Sequence, residues 1–386
     1  MHVASLPRLL FTLGFAACAL PALGNEKECS PAAFEKAAGG IAAPRDVLQA
    51  AIDGNDLDPE ISQRTSDAVV AIKSRLTALV DAQVACIAPG AKPDTAALAT
   101  TLNSAVAGEK NAEEALLHIE PTLADDKLSV VATIGVPCGS DALWLVYEKR
   151  DERWHRVLRW TSPPYRRVDK AWGSFQFAVS PHDADGRWFA IASHIRQWCT
   201  SSWSVVDYAV LRPSGETPAV VLQGDDSMWW GGDDIGRLSA DATHAELRFH
   251  GSSVDTGVHN REYVRRWEIS GSTAKRVAPV ASSARDFVEE WIVSPWAQAK
   301  NWSKQPASLE AAHSRLSAER ARHGSVEFGP VMTCASDDTQ IELRHEDDSA
   351  TYFRVAGNDS DYAMTRVDDT PEPDCTKELP AETPAD

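Results

Sequence analysis

Between residues 30 and 120 apolar residues recur at three- and four-residue steps in an Ala-rich background, a period that predicts helices. The clearest set is Ile61, Ala68, Val69, Ile72, Leu76, Leu79, Val80 and Ile87, which forms one stripe. Asp58-Pro59-Glu60 would open that helix, with a capping Asp and Pro at the first helical position, and Pro89-Gly90 would stop it. A second helix is predicted over Asp94 to Val106, with Leu98, Leu102 and Val106 on one face, and a third over Ala112 to Ile119, ended by Pro121.

From about residue 126 the period shortens to two, and Val, Ile, Trp, Tyr and Phe alternate between Gly, Pro, Asp and Ser turns. Strands are predicted near 128–135, 142–148, 154–160, 174–179, 187–197, 203–211, 218–223, 244–250, 262–270 and 275–280. Three pairs read as hairpins: 142–148 with 154–160, 187–197 with 203–211, and 244–250 with 262–270. Their spacing allows an irregular repeat of four-stranded sheets. Helices return over Asp286 to Ile292 and Leu309 to Arg322, the latter ended by His323-Gly324. Further strands follow near 326–333, 339–344, 351–356 and 361–367. In the second of these, Ile341 and Leu343 alternate with Gln340, Glu342 and Arg344, as in a sheet with one wet face.

These patterns predict an α+β multidomain chain. Its parts are a signal peptide over 1–24, an α-helical domain over 25–123, and a Trp-rich antiparallel β domain over 124–281, either a sandwich or propeller-like. A small α+β unit follows over 282–370, and then an acidic, Pro-rich tail over 371–386, expected to be disordered apart from Cys375. Within the β domain Val179 to Ser193, VSPHDADGRWFAIAS, resembles the S-P-D-G-R-W strand entry of TolB-like propeller domains, with extra residues in the turn. The resemblance is local and implies a turn and a strand, with no function attached.

The ends and the cysteines set the compartment. Arg8, the apolar run Leu9 to Leu20 and Ala22-Leu23-Gly24 read as a secretory signal, with the mature chain starting near Asn25. Phe15-Ala16-Ala17-Cys18 resembles a lipobox, but Phe stands where Leu is usual, so lipidation at Cys18 is the lesser expectation beside a periplasmic or secreted protein. No later window reaches the roughly 20 apolar residues of a membrane span. Cleavage leaves Cys29, Cys86, Cys138, Cys199, Cys334 and Cys375. An even count in an exported chain reads as disulfides, and placement favours Cys29–Cys86, Cys138–Cys199 and Cys334–Cys375. Without CxxC or zinc-finger spacing, no metal site or cofactor is expected. The net charge of -18 argues against nucleic acid and anionic membranes, both of which are held by basic patches.

Few strings carry recognisable chemistry. Ser272-Thr273-Ala274-Lys275 matches S-T-x-K of serine β-lactamases, but it follows a strand and reads as a hairpin turn. His244, Glu246, Arg248 and His250 share one strand face, where Arg248 speaks against a metal and for a solvated surface. Asp183-Ala184-Asp185-Gly186 lacks the closing Glu of a calcium loop and reads as a turn, and His194 near Cys199 reads as a core or edge residue. No catalytic residue is assigned.

Tryptophan is the strongest compositional signal, since all 13 lie between Trp144 and Trp302. Trp144, Trp160, Trp188, Trp203 and Trp267 alternate along strands and would fill the core. Trp229 and Trp230, in the stretch GDDSMWWGGDD from Gly224 to Asp234, are read as a loop pair that cannot both face a core. They and Asp225, Asp226, Asp233 and Asp234 are the candidate ligand-binding residues. The leading expectation is non-catalytic recognition of a glycan, peptide or protein ligand. The alternatives are a hydrolase of an envelope polymer using those carboxylates, and a structural or inhibitor-like interaction protein.

Overall fold

The computed structural model describes residues 29–54, 59–107, 116–197, 201–215, 217–229, 236–358 and 361–379. The signal peptide, Cys18, Asp58, Cys199, Trp198, Trp230, Asp233 and Asp234 lie outside the described residues.

The chain opens with α1 (Pro31–Gly39), α2 (Ala42–Asp53), α3 (Gln63–Val84) and α4 (Thr95–Val106). Asp94 caps α4 by accepting from Ala97 N, and Leu98, Leu102 and Val106 are its buried face, as the spacing predicts. Helix α3 starts later than expected. Its cap is Ser62, whose hydroxyl accepts from Thr65 N. Pro59 to Ile61 instead run extended beside a distant segment, with Val168 N donating to Pro59 O and Ile61 N to Arg166 O. This backbone pairing competes successfully with the first helical turn.

Three four-stranded antiparallel meanders follow. The first holds β1 (Leu117–Ala124), β2 (Lys127–Val136), β3 (Gly139–Arg150) and β4 (Arg153–Thr161). The second holds β5 (Trp172–Val179), β6 (Ala190–Arg196), β7 (Trp203–Arg212) and β8 (Ala219–Trp229). The third holds β9 (Arg237–Ala240), β10 (His244–Ser252), β11 (Asn260–Ser270) and β12 (Thr273–Arg276). All three expected hairpins are present as β3–β4, β6–β7 and β10–β11.

Several expectations are corrected. The described part of the predicted helix over 112–119 is the start of β1, whose Pro121 is tolerated because β1 is an edge strand. The last strand of the third sheet is 273–276 rather than 275–280. The Gly271-Ser272 turn before it confirms the hairpin reading of the S-T-x-K string.

The layers stack through their alternating faces. Leu143, Leu145 and Tyr147 of β3 join Leu76, Leu79 and Val80 of α3 in one core, while Trp144 and Val146 point the other way. Strand β3 is therefore buried on both sides, which its run ALWLVY anticipates. Trp144, Val146 and Leu158 pack on Ala190, Ala192, Ala209 and Leu211 of the second sheet. The opposite face of that sheet, with Ile191, Ile195, Val206, Val210 and Met228, packs on Ala245, Leu247, Phe249 and Trp267 of the third. The described sheets do not close into a barrel.

The C-terminal α+β unit contains α5 (Ala284–Val293), α6 (Trp296–Ala299) and α7 (Pro306–His323), which ends at a left-handed Gly324 as expected. These helices cover a five-stranded sheet ordered β16-β15-β14-β13-β17, with β13 (Glu327–Cys334), β14 (Thr339–Arg344), β15 (Ala350–Ala356), β16 (Ala363–Asp368) and β17 (Cys375–Glu378). Strand β17 corrects the expectation of a disordered tail. The Cys334–Cys375 disulfide fixes its start, and it pairs with β13 while Arg354 and Arg366 bind Asp374 and Glu372. Cys29–Cys86 is also formed, and Cys138 is disulfide-bonded. No helix among the described residues is long and apolar enough to cross a membrane.

Candidate functional site

Alternation along the second sheet creates the site. On the face toward the first sheet, β6 runs Ala190, Ala192, His194, Arg196, changing from small apolar to polar residues. Opposite His194 stands Asp207 of β7, and opposite Asp207 stands Asp225 of β8. Where the alanines face Trp144 the sheets close tightly. Where His194 and Arg196 take over, they leave a cleft of about 450 Å³.

Aromatic rings line one wall. The Trp160 and Trp172 ring centroids lie 5.2 Å apart, and Trp172 stacks on His194 at 4.6 Å with 17° between the planes. Trp160 is thus half-buried and faces the cleft, which corrects its assignment to the core interior. Burial pulls the His194 pKa down to about 4, against the raising effect of Asp207 and Asp141, so the ring is neutral near pH 7. Its Nδ1 is buried without a hydrogen-bond partner and lies 4.0 Å from Asp207 Oδ2.

The mouth is formed by the connection from β4 to β5, which supplies Tyr165, Arg166, Arg167, Asp169 and Lys170. Pairing with Pro59 to Ile61 holds this connection, and Arg166 Nε donates to Ile61 O at 2.8 Å. Beneath it lies a buried ion pair, Lys73 Nζ to Asp141 Oδ2 at 2.5 Å, with Ser162 Oγ bonded to both groups. Asp141 Oδ1 also accepts from Ala142 N and Trp172 N. One carboxylate therefore ties α3, β3, the connection and β5 together. Burial lowers the Lys73 pKa and Asp141 opposes that shift.

The residues singled out in the sequence are placed differently from expectation. Gly224 to Trp229 continue β8 and are not a loop. Neighbouring strand residues point to opposite faces, so Asp225 lies on the cleft side, 3.9 Å from Arg196, and Asp226 turns to Arg265 of the third sheet. The two carboxylates do not converge as an acid–base pair would. Trp229 and Trp203 are half-buried, both edge-on to His259 at 5.8 and 5.4 Å, in a separate aromatic group. Trp203 is therefore another ring not fully inside the core.

Other polar clusters are occupied. Asp126, Glu148 and His182 come together, but Lys127 binds Asp126 at 2.8 Å and Arg150 binds Glu148 at 2.6 Å, so both carboxylates already have a cation as partner. His345 bridges Glu319 and Thr351, and Thr351 is fully buried, out of a substrate's reach. His244, Glu246, Arg248 and His250 share one face as expected, with Arg248 paired to Glu246 and Glu262.

No family model matches the chain, and no curated protein matches it. Among solved structures it is similar to one described as a "putative 6-phosphogluconolactonase" from Bacteroides uniformis ATCC 8492. The identity is 10% over 67% of this chain and 70% of that chain, with a TM-score of 0.21. A likeness of that size carries no chemistry across, and the site is interpreted through its own residues.

Proposed function

We propose that this is an exported protein that recognises a short glycan, without catalysis, in the cleft between the first and second sheets. The observation that carries the reading is the pair Trp160 and Trp172, whose rings wall a cleft of a few sugar rings' volume beside fixed polar groups. Flat indole faces stack on the C–H faces of sugars and offer N–H donors to hydroxyls. The sequence of residues 1–24 and the disulfides support export.

The cleft's carboxylates favour binding over hydrolysis. Asp207 accepts two hydrogen bonds from Arg196, both at 2.7 Å, and Asp169 is shared by Arg167 at 3.1 Å and Lys170 at 3.5 Å. Asp225, on the cleft side, faces Arg196 at 3.9 Å. Glycoside hydrolysis needs two carboxyls facing each other across the bond that is cut, whereas each of these three is turned to a cation.

A saccharide panel that includes peptidoglycan fragments, titrated by tryptophan fluorescence and thermal shift, tests the reading. Binding should be lost in Trp160→Ala and Trp172→Ala, and a saturating ligand at about 100 times Kd should add about 2.7 kcal/mol of stability. Trp229→Ala reports on the second aromatic group that the sequence singled out. If its loss abolishes binding while Trp160→Ala does not, the site lies at the end of β8. If no saccharide moves either signal, the glycan reading is wrong.

A further inference from the structure

We infer that the cleft selects a saccharide carrying carboxylate groups, a uronic-acid type of glycan; this rests on the glycan reading above. The chain as a whole carries a net charge of -18, yet four cationic residues, Arg166, Arg167, Lys170 and Arg196, gather at the cleft; Asp169 and Asp207 line it with them, and Asp225 and Glu60 reach Arg196 and Arg167 from its edges. Such a gathering of cations in so acidic a chain is the reverse of what the composition provides by default. Any of them not already answered by a carboxylate would draw an anion into a place that the rest of the molecule repels.

The cations differ in how far they are already committed. Arg196 is held on Asp207 by two hydrogen bonds and lies 3.9 Å from Asp225, while Arg167 and Lys170 share Asp169 and Arg167 also lies 4.0 Å from Glu60. Among the described residues Arg166 is held by neutral acceptors, Ile61 O at 2.8 Å and the Gln63 side-chain oxygen at 3.1 Å. Those bonds fix its guanidinium without neutralising it. The backbone that carries it is pinned by Ile61 N to Arg166 O at 2.9 Å and Val168 N to Pro59 O at 2.8 Å. A pre-positioned guanidinium matches the planar geometry of a carboxylate, and the tryptophan wall of the same cleft can hold the ring that bears it.

The test uses uronic-acid tetrasaccharides of galacto, gluco and manno configuration, each paired with its methyl ester, titrated against the full mature chain. At least one free acid should bind on the order of tenfold more tightly than its ester, with affinity falling as salt rises. In Arg166→Gln that preference should shrink to about twofold, while Arg166→Lys, which keeps the charge, should retain part of it. Unchanged melting temperatures and circular dichroism would show that the variants fold. An ester that binds as well as its acid, or an Arg166→Gln variant with the preference intact, overturns the carboxylate inference and leaves the glycan reading standing. If these acids and esters fail to bind while a neutral saccharide does, the inference falls alone. If no saccharide of any kind binds, both fall.

Discussion

The Arg265 guanidinium holds both carboxylate oxygens of Asp226, each at 3.0 Å, across the seam between the second and third sheets. Its remaining nitrogen reaches Glu290 of α5 at 2.7 Å, and Arg261 binds Glu289 at 2.7 Å and Glu290 at 2.9 Å. One arginine thus joins β8, β11 and the C-terminal helices. Removing one partner of a buried pair strands the other without its counter-charge. Arg265→Ala should therefore lower unfolding stability by about 3 kcal/mol. Asp226→Asn, at a partly exposed site, should cost about 1–2 kcal/mol. Urea unfolding of both variants measures this, and an Arg265→Ala chain as stable as the parent would remove the network from the account of stability.

Lys73 and Asp141 make a second lock beneath the cleft. Lys73→Met leaves the Asp141 carboxylate buried with only neutral donors, and a loss of about 3–5 kcal/mol is expected. Adding Asp141→Asn should recover part of it, because an amide needs no counter-charge. A double-mutant cycle by chemical denaturation gives the coupling, and strictly additive losses would contradict it.

The neutral state of His194 gives a pH dependence of known sign. Its folded pKa of about 4 lies below the unfolded value of about 6.5, so in that window the unfolded chain binds a proton that the folded chain does not. Stability from this group is present above pH 6.5 and is lost as pH falls toward 4, by up to about 3 kcal/mol. His194→Phe, which can keep the ring contact with Trp172, should flatten that part of the curve. Unfolding curves at pH 7, 6, 5 and 4.5 make the comparison, and parallel profiles for the two proteins would refute the assignment.

Two glycines leave room for Gln197. A Cβ on Gly173 would sit 1.3 Å from its Nε2 and one on Gly139 1.8 Å from its Oε1, while Nε2 donates to Ser140 O at 3.2 Å. Gly173→Ala must expel the amide and is expected to cost about 1–3 kcal/mol. Shortening the opposing side chain in Gly173→Ala/Gln197→Ala should return much of that in thermal unfolding. No recovery would place the cost in the backbone instead.

Local features of the sequence anticipated what local physics decides. The change of period near residue 126 anticipates the passage from helices to strands, which the structure places earlier, at β1 from Leu117. Asp94 caps α4 through its own neighbour's N–H, and Gly324 ends α7 in a conformation that suits glycine. The hairpins β3–β4, β6–β7 and β10–β11 followed from alternation and turn residues. Cysteines placed in the same part of the chain formed Cys29–Cys86 and Cys334–Cys375.

What the sequence hid depends on partners far along the chain. Asp225 and Asp226 look like loop residues because their charges have no local answer; the arginines that face them come from β6 and β11. Pro59 to Ile61 leave the helix they seemed to open because backbone acceptors and donors around residues 166–168 lie beside them. The cleft has no motif at all. It exists because strand register sets Trp172 and His194 on one face, the sheets part where alanine gives way to histidine and arginine, and the connection from β4 to β5 is fixed across the opening. Residue types and periods anticipated most helices, hairpins and turns, since those depend on near neighbours, but not β1 or the end of β8. Only the stacked sheets could decide which polar residues face one another, because that depends on contacts between segments a hundred residues apart.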